Sequence, residues 1–550
     1  MPWIEMVFRT TLQMKRNRPI PDFRLLGLSW LVICIVLATP VLSQGKQDNA
    51  AEAPTMAEIE QAWQQGDFGF VRQGLKQLAE QDGTALAQYR YGRVLAMGRG
   101  GPKDLPGAVL WLSRAAEKNH AEAMSLLGRI YLSNISEDQD TQTGLKRDPE
   151  KAAGLLTRAA ALGNAEAQYY LSLLHTKAEG VEADTDAAFT WMLAAAQQQY
   201  APAQFELSRY YSRGIGTERN EESAVDWLER AAENNHVEAQ YFLAIAFETG
   251  RGVSQNLSTA IKWYRRAAER GLPIAQRNLG TYYLKGEDVA QNTEEGLRWL
   301  NAAAKAGDPG AMGNLGFAYA NGLGVAQDDK AAAEWYARAS EYGLGRAKVA
   351  LGSFYQEGRG VEQDMGRAIA LYRQALETPD AGLAARRLAR LAASGDLEGR
   401  IAPQSAIPWA LYAAEQGDEA AMNWLAEQAA AGIRDAQAGL AGLYLKDDAT
   451  AAEGARLREQ AARAGDAVAQ ARLGEMYMTG SHVDLDYVAA HKWFNIAATL
   501  GQLRAAELRE TVSALMTPED LARAQTAARN WFENEEPQPP ATEQSIMVEE

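Results

Sequence analysis

The chain has 550 residues, 47% of them apolar and 23% charged, too many for one compact core, so several domains or one extended array are expected. Its formal net charge is −16, and residues 1–24 carry five basic groups against two acids, which leaves the remainder more acidic still. Such a body repels phosphate over most of its surface and excludes general binding to nucleic acid or anionic membrane, while a single cysteine, Cys34, excludes a disulfide framework and a cysteine-ligated zinc site.

The N-terminus reads as an export signal. Lys15, Arg16, Arg18 and Arg24 precede an apolar run from Leu25 to about Ala38, and Val41 and Ser43 are small enough for a cleavage site. Residues 1–43 are therefore expected to be a signal peptide. The alternative is a signal anchor, since Leu25 to Leu42 is 18 residues, just long enough to span a bilayer. Either outcome places the rest of the chain outside the cytoplasm, with membrane contact only through this segment if it stays uncleaved. Met14 is an alternative start. Residues 44–56 read as a linker and 57–84 as N-terminal capping helices.

A repeat follows. Six contiguous units of 36 residues run over 165–200, 201–236, 237–272, 273–308, 309–344 and 345–380. Position 3 is alanine in all six (Ala167, Ala203, Ala239, Ala275, Ala311, Ala347), and position 7 is leucine (Leu171, Leu207, Leu243, Leu279, Leu315, Leu351). Position 27 is tryptophan in five (Trp191, Trp227, Trp263, Trp299, Trp335), and position 31 is again alanine, as at Ala267. The frame extends to 85–120, to 121–164 with eight extra residues, and to 467–502.

Each unit reads as two short helices. In 237–272, Ala239, Leu243 and Phe247 share one helical face, and Ala260, Trp263, Ala267 and Ala268 share another, with Gly271 placed to end the second helix in a left-handed conformation. Between them lies "ETGRGVSQN", whose Gly250 and Gly252 could cradle a phosphate or make a turn. No Lys-Ser/Thr follows and no strand precedes, so the turn is preferred. Arg251 reads as replaceable, because Ile215 and Leu323 hold the equivalent place. One helix pair cannot bury its apolar face alone, so the prediction is an all-α, right-handed α-solenoid of stacked antiparallel helix pairs.

The array is expected to run over 85–418, with an atypical first helix after 381 and a connection shortened by Pro403 and Pro408. Residues 419–433 read as an unpaired helix or discontinuity that kinks the superhelix. Residues 434–502 supply two further repeats, and 503–533 a C-terminal capping pair, with Thr517 as N-cap, Pro518 at the first helical position and Asp520 three residues on. Residues 534–550 read as a disordered acidic tail.

The pattern A-x-A-Q-x-x-L-G-x-x-Y-x-x-G-x-G-V…A-x-x-W-x-x-x-A-A-x-x-G resembles the Sel-like repeat (SLR), a relative of the tetratricopeptide repeat, over roughly residues 85–502. The resemblance implies a helical-hairpin superhelix that binds proteins or envelope components and performs no chemistry. Bacterial members are often exported scaffolds or regulators of signalling and polysaccharide secretion. The expectation is therefore a non-enzymatic periplasmic scaffold with a protein partner; the alternative is a binder of peptidoglycan or exported polysaccharide. A weak cell-wall hydrolase is remote, because no nucleophile–base arrangement or HExxH motif stands in the chain, and no cofactor or metal is expected.

Two places could hold a partner. Tyr89, Tyr169, Phe205 and Tyr241, all at position 5, could line a concave face and stack on sugars or grip a peptide; they could equally pack between adjacent first helices. The insertion near 134–148 is either a recognition element or a tolerated loop.

Overall fold

Small and large apolar residues at helical spacing build helices throughout a computed structural model that describes residues 54–133, 145–286 and 289–534. Two capping helices come first, α1 (Met56–Gln65) and α2 (Phe68–Gln81). Eight pairs follow: α3 (Ala85–Met97) with α4 (Leu105–Glu117), α5 (Ala121–Leu132) with α6 (Pro149–Ala161), α7 (Ala165–Lys177) with α8 (Thr185–Gln197), α9 (Ala201–Arg213) with α10 (Glu221–Glu233), α11 (Val237–Thr249) with α12 (Leu257–Glu269), α13 (Pro273–Lys285) with α14 (Thr293–Lys305), α15 (Pro309–Asn321) with α16 (Asp329–Glu341), and α17 (Gly345–Glu357) with α18 (Met365–Ala375). Then come α19 (Ala381–Ala393), α20 (Pro403–Glu415), α21 (Glu419–Ala430), α22 (Arg434–Tyr444), α23 (Ala451–Arg463), α24 (Ala467–Thr479), α25 (Tyr487–Thr499), α26 (Leu503–Ser513) and α27 (Pro518–Asn534). There is no strand among the described residues, and each second helix also packs on the first helix of the next pair, giving an α-solenoid.

The repeated columns are the core. Ala167, Leu171, Ala203, Leu207, Ala267, Leu279 and Leu315 are buried, as is Trp263, while Trp299 and Trp335 are half-buried. The alanines let backbones close up, and the larger residues fill the space between pairs. Position 8 tunes the fit inside a pair. A Cβ on Gly316 would sit 2.7 Å from the Tyr336 ring, one on Gly352 2.6 Å from Tyr372, and one on Gly474 2.7 Å from Phe494. Wherever the second helix brings an aromatic ring to those three crossings, the first helix offers no side chain.

Two polar columns close the helix ends. Asp or Asn at position 20 caps the second helix in each of the eight pairs: Asn256 accepts from Thr259 N at 3.0 Å, and its own N–H donates to the Phe247 carbonyl at 2.8 Å. The glutamine at position 4 is buried and donates backwards to the last turn of the preceding helix. Gln168 reaches the Ala160 carbonyl at 3.2 Å, Gln204 Ala196 at 3.2 Å, Gln240 Ala232 at 3.1 Å and Gln470 Ala462 at 3.0 Å. Each of these carbonyls also accepts a backbone N–H from the turn after its helix, as the Ala232 carbonyl does from Asn235 N at 3.1 Å, so the glutamine adds a second hydrogen bond that ties the first helix to the end of the preceding one. Gln240→Leu is expected to lower stability by about 0.5–1.5 kcal/mol in urea titration, the net worth of one hydrogen bond; a change near zero would mean that the turn N–H alone satisfies the carbonyl.

The glycines of the connecting turn do two different jobs. Gly250 ends α11 with φ 71°, and a Cβ there would meet only Gln255 of its own turn, with Gln255 Cβ at 3.3 Å. Gly252 has φ 70°, yet a Cβ there would collide with the Glu221 carbonyl and lie 2.9 Å from Val225 Cγ2, both on α10 of the preceding unit. Gly180, Gly216 and Gly360 meet the Pro149, Thr185 and Asp329 carbonyls in the same way, and Gly324 meets the Thr293 side chain. Position 16 is thus a contact between units as well as part of a turn. Arg251 strengthens that seam with two hydrogen bonds to Glu221, at 3.0 and 2.7 Å, and Arg359 does likewise to Asp329. Gly271 takes the left-handed conformation, with φ 85°.

Beyond α18 the order changes. Pro403 opens α20, but Pro408 lies inside it rather than in the connection expected from the sequence. It is the sixth residue of α20, so its missing N–H leaves the Gln404 carbonyl without its i+4 donor. α21 packs against α19, α20 and α22, and α20 also touches α22 directly. At the C-terminus, α26 and α27 both pack on α25. Thr517 Oγ1 accepts from Asp520 N at 3.2 Å and donates to its carboxylate at 2.8 Å. The signal segment, most of the linker and the acidic tail after Asn534 lie outside the described residues. No described helix is long and apolar enough to cross a membrane.

Candidate interaction surface

Position 5 of a unit meets position 36, the residue that begins the next first helix. The Tyr89 ring stacks on His120 with centroids 4.7 Å apart, and Phe205 stacks on His236 at 4.6 Å. Tyr169 meets Tyr200 edge-on at 5.6 Å, and where position 5 is Arg277 the contact becomes an ion pair with Asp308 at 3.2 Å. Tyr241 packs on Phe242 at 5.2 Å and Tyr264 at 5.8 Å. Phe205 and Tyr241 are buried; Tyr89 and Tyr169 are half-buried. Burial raises the Tyr169 hydroxyl far above the ordinary phenol value and pushes Tyr241 up to about 12. The four rings do not form one continuous ladder, because the unit between Tyr89 and Tyr169 has Ser125 in this column, donating to Glu166 at 3.0 Å.

The histidines at these seams act as caps. His236 Nδ1 accepts from Ala239 N at 3.2 Å, a role open only to the unprotonated nitrogen. Burial holds its pKa below the ordinary 6.5, against the opposing fields of Glu238 and Glu206. His491 is likewise depressed, by burial and then Arg509, with Glu510 opposing. A depressed imidazole means that the unfolded chain binds more protons, so stability is complete above 6.5 and is lost as pH falls through that value toward the folded pKa. Thermal scans from about pH 7 to about pH 5 are expected to show a falling Tm. His236→Asn should flatten the slope, since asparagine caps at any of these pH values; an unchanged slope would count against the assignment.

The outward side of the first helices is built differently. From 121 to 344 position 6 is half-buried and changes identity along the array: Leu126, Tyr170, Glu206, Phe242, Asn278, Asn314. Between α5 and α7, Arg129 pairs with Glu166 at 2.7 Å and lies 5.5 Å from the Tyr170 ring centre. Beside them a hollow of about 330 Å³ is lined by Leu132, Tyr170, Leu173 and Lys177, with the Arg147–Glu179 pair, 2.5 Å apart, also in its lining. Farther on, Asn314 Nδ2 donates to Thr281 Oγ1 at 2.9 Å, and Phe317 is 55% exposed. Of the insertion near 134–148, residues 134–144 lie outside the described residues.

Reading position 5 alone passed over this variable column. It also passed over Glu248, whose carboxylate accepts hydrogen bonds from the Tyr264 and Tyr282 hydroxyls across two units. The sequence signal for the variable column is negative, a half-apolar helical face that fails to repeat. Among the described residues no group of three or more His, Cys, Asp and Glu side chains could hold a metal ion.

The Sel1 repeat model matches nine segments: 85–120, 121–164, 165–200, 201–236, 237–272, 273–308, 309–344, 345–377 and 467–502. A solved structure of a protective antigen of uropathogenic Escherichia coli strains, displaying an SLR fold, aligns with TM-score 0.54 and 28% identity over 87% of this chain and 98% of the antigen. A Sel1 repeat protein from Oxalobacter formigenes aligns with TM-score 0.43 and 29% identity, covering 64% of this chain and 98% of that one. An exopolysaccharide production negative regulator of Rhizobium meliloti (strain 1021) is 35% identical over 97 residues, 18% of this chain. The match spans about a third, 31%, of the regulator's length.

Proposed function

The chain belongs to the Sel1 repeat family, and on that footing we propose that it is a non-enzymatic protein-interaction scaffold of the bacterial periplasm that regulates envelope signalling or polysaccharide secretion. One observation carries this reading. The interior columns repeat from unit to unit, while the half-buried position 6 on the first helices runs Leu126, Tyr170, Glu206, Phe242, Asn278, Asn314. Packing fixes a column; a varied outward row on a rigid array suits one extended partner read unit by unit. The likeness to an exopolysaccharide production negative regulator supports the regulatory half of the proposal. The N-terminal basic and apolar segments support export.

Photo-crosslinkers placed at Tyr170 and Asn278 in intact envelopes, read by mass spectrometry, are expected to capture one protein at both positions. Co-sedimentation with purified sacculi or exopolysaccharide at equal strength in a Tyr170→Ala/Asn278→Ala variant would replace a protein partner with a glycan held elsewhere. A reporter fused after residue 60 and active only in the cytoplasm would overturn export.

A further inference from the structure

We propose that the cleft between α20 and α22 is a docking site for this chain's own acidic segment, residues 535–550. The cleft exists because α21 interrupts the pairing and lets α20 and α22 meet. It measures about 400 Å³ and is lined by Pro408, Leu411, Tyr412, Ala438, Gly442 and Leu443, with Tyr412 43% exposed. Lys446 Nζ, also in the lining, pairs with Glu415 at 3.0 Å.

The second cation has no such partner. Arg458 of α23 has a buried Nε without a hydrogen bond, and the described residues give its guanidinium no ion pair. Burial depresses its pKa, with the field of Asp466 opposing. Its Nη2 lies 3.5 Å from where a Cβ on Gly442 would stand, so the missing side chain leaves the guanidinium at the border of the cleft. A half-buried guanidinium without a carboxylate attracts an acid brought to it, and the charge-assisted hydrogen bond is the stronger for the partial burial.

Residues 535–550 offer that chemistry. They carry five acids and no basic group, and the apolar triplet Ile546-Met547-Val548 is followed directly by Glu549 and Glu550. The triplet suits the apolar lining, and a following glutamate suits Arg458. Reach is sufficient. From Asn534 to Met547 an extended chain covers about 45 Å, whereas α27, α25, α24, α23 and α22 are four packed helix-to-helix steps apart, about 40 Å.

The probe is a labelled Thr542–Glu550 peptide. It is expected to bind the chain truncated after Asn534, to weaken with salt, and to bind the full chain at least about tenfold less well because the tethered copy competes. Arg458→Gln in the truncated chain should weaken the peptide about tenfold without lowering Tm. Should that variant not fold, Glu549→Gln/Glu550→Gln in the full chain should reopen the cleft to the peptide. With Cys34→Ser, oxidation of an Ala438→Cys/Met547→Cys variant should give a disulfide within one chain. Equal peptide binding to full and truncated chains, no binding to either, or disulfide-linked dimers in place of the internal bond would each overturn the proposal.

Discussion

Gly252→Ala is expected to destabilise the array by about 3 kcal/mol or more, while Gly250→Ala costs about 1–2 kcal/mol. Both glycines have left-handed backbones, so the conformational cost of a Cβ is shared. What differs is the neighbour: the Cβ at 252 would enter the Glu221 backbone, and nothing comparable stands near 250. Relief requires the units to move apart, which weakens the Arg251–Glu221 hydrogen bonds and the seam packing together. The chain contains its own controls. Ala178 occupies position 14 with φ 54°, so a methyl group is accommodated there, whereas the same unit keeps glycine at 180 against the Pro149 carbonyl. His482 occupies position 16 with φ 60° and is exposed, following a unit whose shortened connection breaks the register. Because nearest-neighbour terms dominate a repeat array, the loss should appear as faster amide exchange in α10, α11 and α12. Equal urea midpoints for the two variants would refute the distinction.

The same contrast marks what a sequence reveals. The columns Ala167, Leu171, Trp263 and Ala267 were legible because burial selects size at fixed helical spacing, and size is written in the residue itself. The turn glycines were legible only as a turn, since the residue that makes 252 indispensable lies 31 positions earlier in another unit. Arg251 looked replaceable for that reason too. Its partner Glu221 is an acid only in some units; Thr185 and Thr293 stand at the same place. The glutamine column was visible as repetition in A-x-A-Q, but its role follows from which carbonyl the preceding helix presents; the Asp and Asn caps at position 20 emerge only from the structure. Pro408 was misplaced because proline disfavours a helix interior, and the packing of α20 outweighs that local preference. The candidate surface was least legible. A site made of residues that differ between units leaves no periodic trace, and Arg458 lies in a pair whose shortened connection departs from the frame.

Replacing Phe205 and Tyr241 with alanine is expected to cost about 3–5 kcal/mol each, the range for deleting a buried aromatic ring. Each ring occupies a seam: Phe205 lies between His236 and Phe242, at 4.6 and 5.8 Å, and Tyr241 against Phe242 and Tyr264. Removing either leaves a cavity that the neighbouring helices, pinned by their caps, cannot easily fill. Phe317, at 55% exposure, has little to lose and should stay within about 0.5 kcal/mol on the same change. The pair of results separates structure from recognition. If the Tyr169→Ala/Phe205→Ala/Tyr241→Ala variant loses a captured partner only in proportion to its fall in Tm, the rings act by holding the first helices in register, and recognition lies on the variable face they support. If that variant melts like the parent yet loses the partner, the rings themselves are the contact. The first outcome is expected, because a ring that stacks on the cap of the next unit has its face already covered. A partner would have to displace His236 or Tyr200 to reach it, breaking the seam on which the array depends.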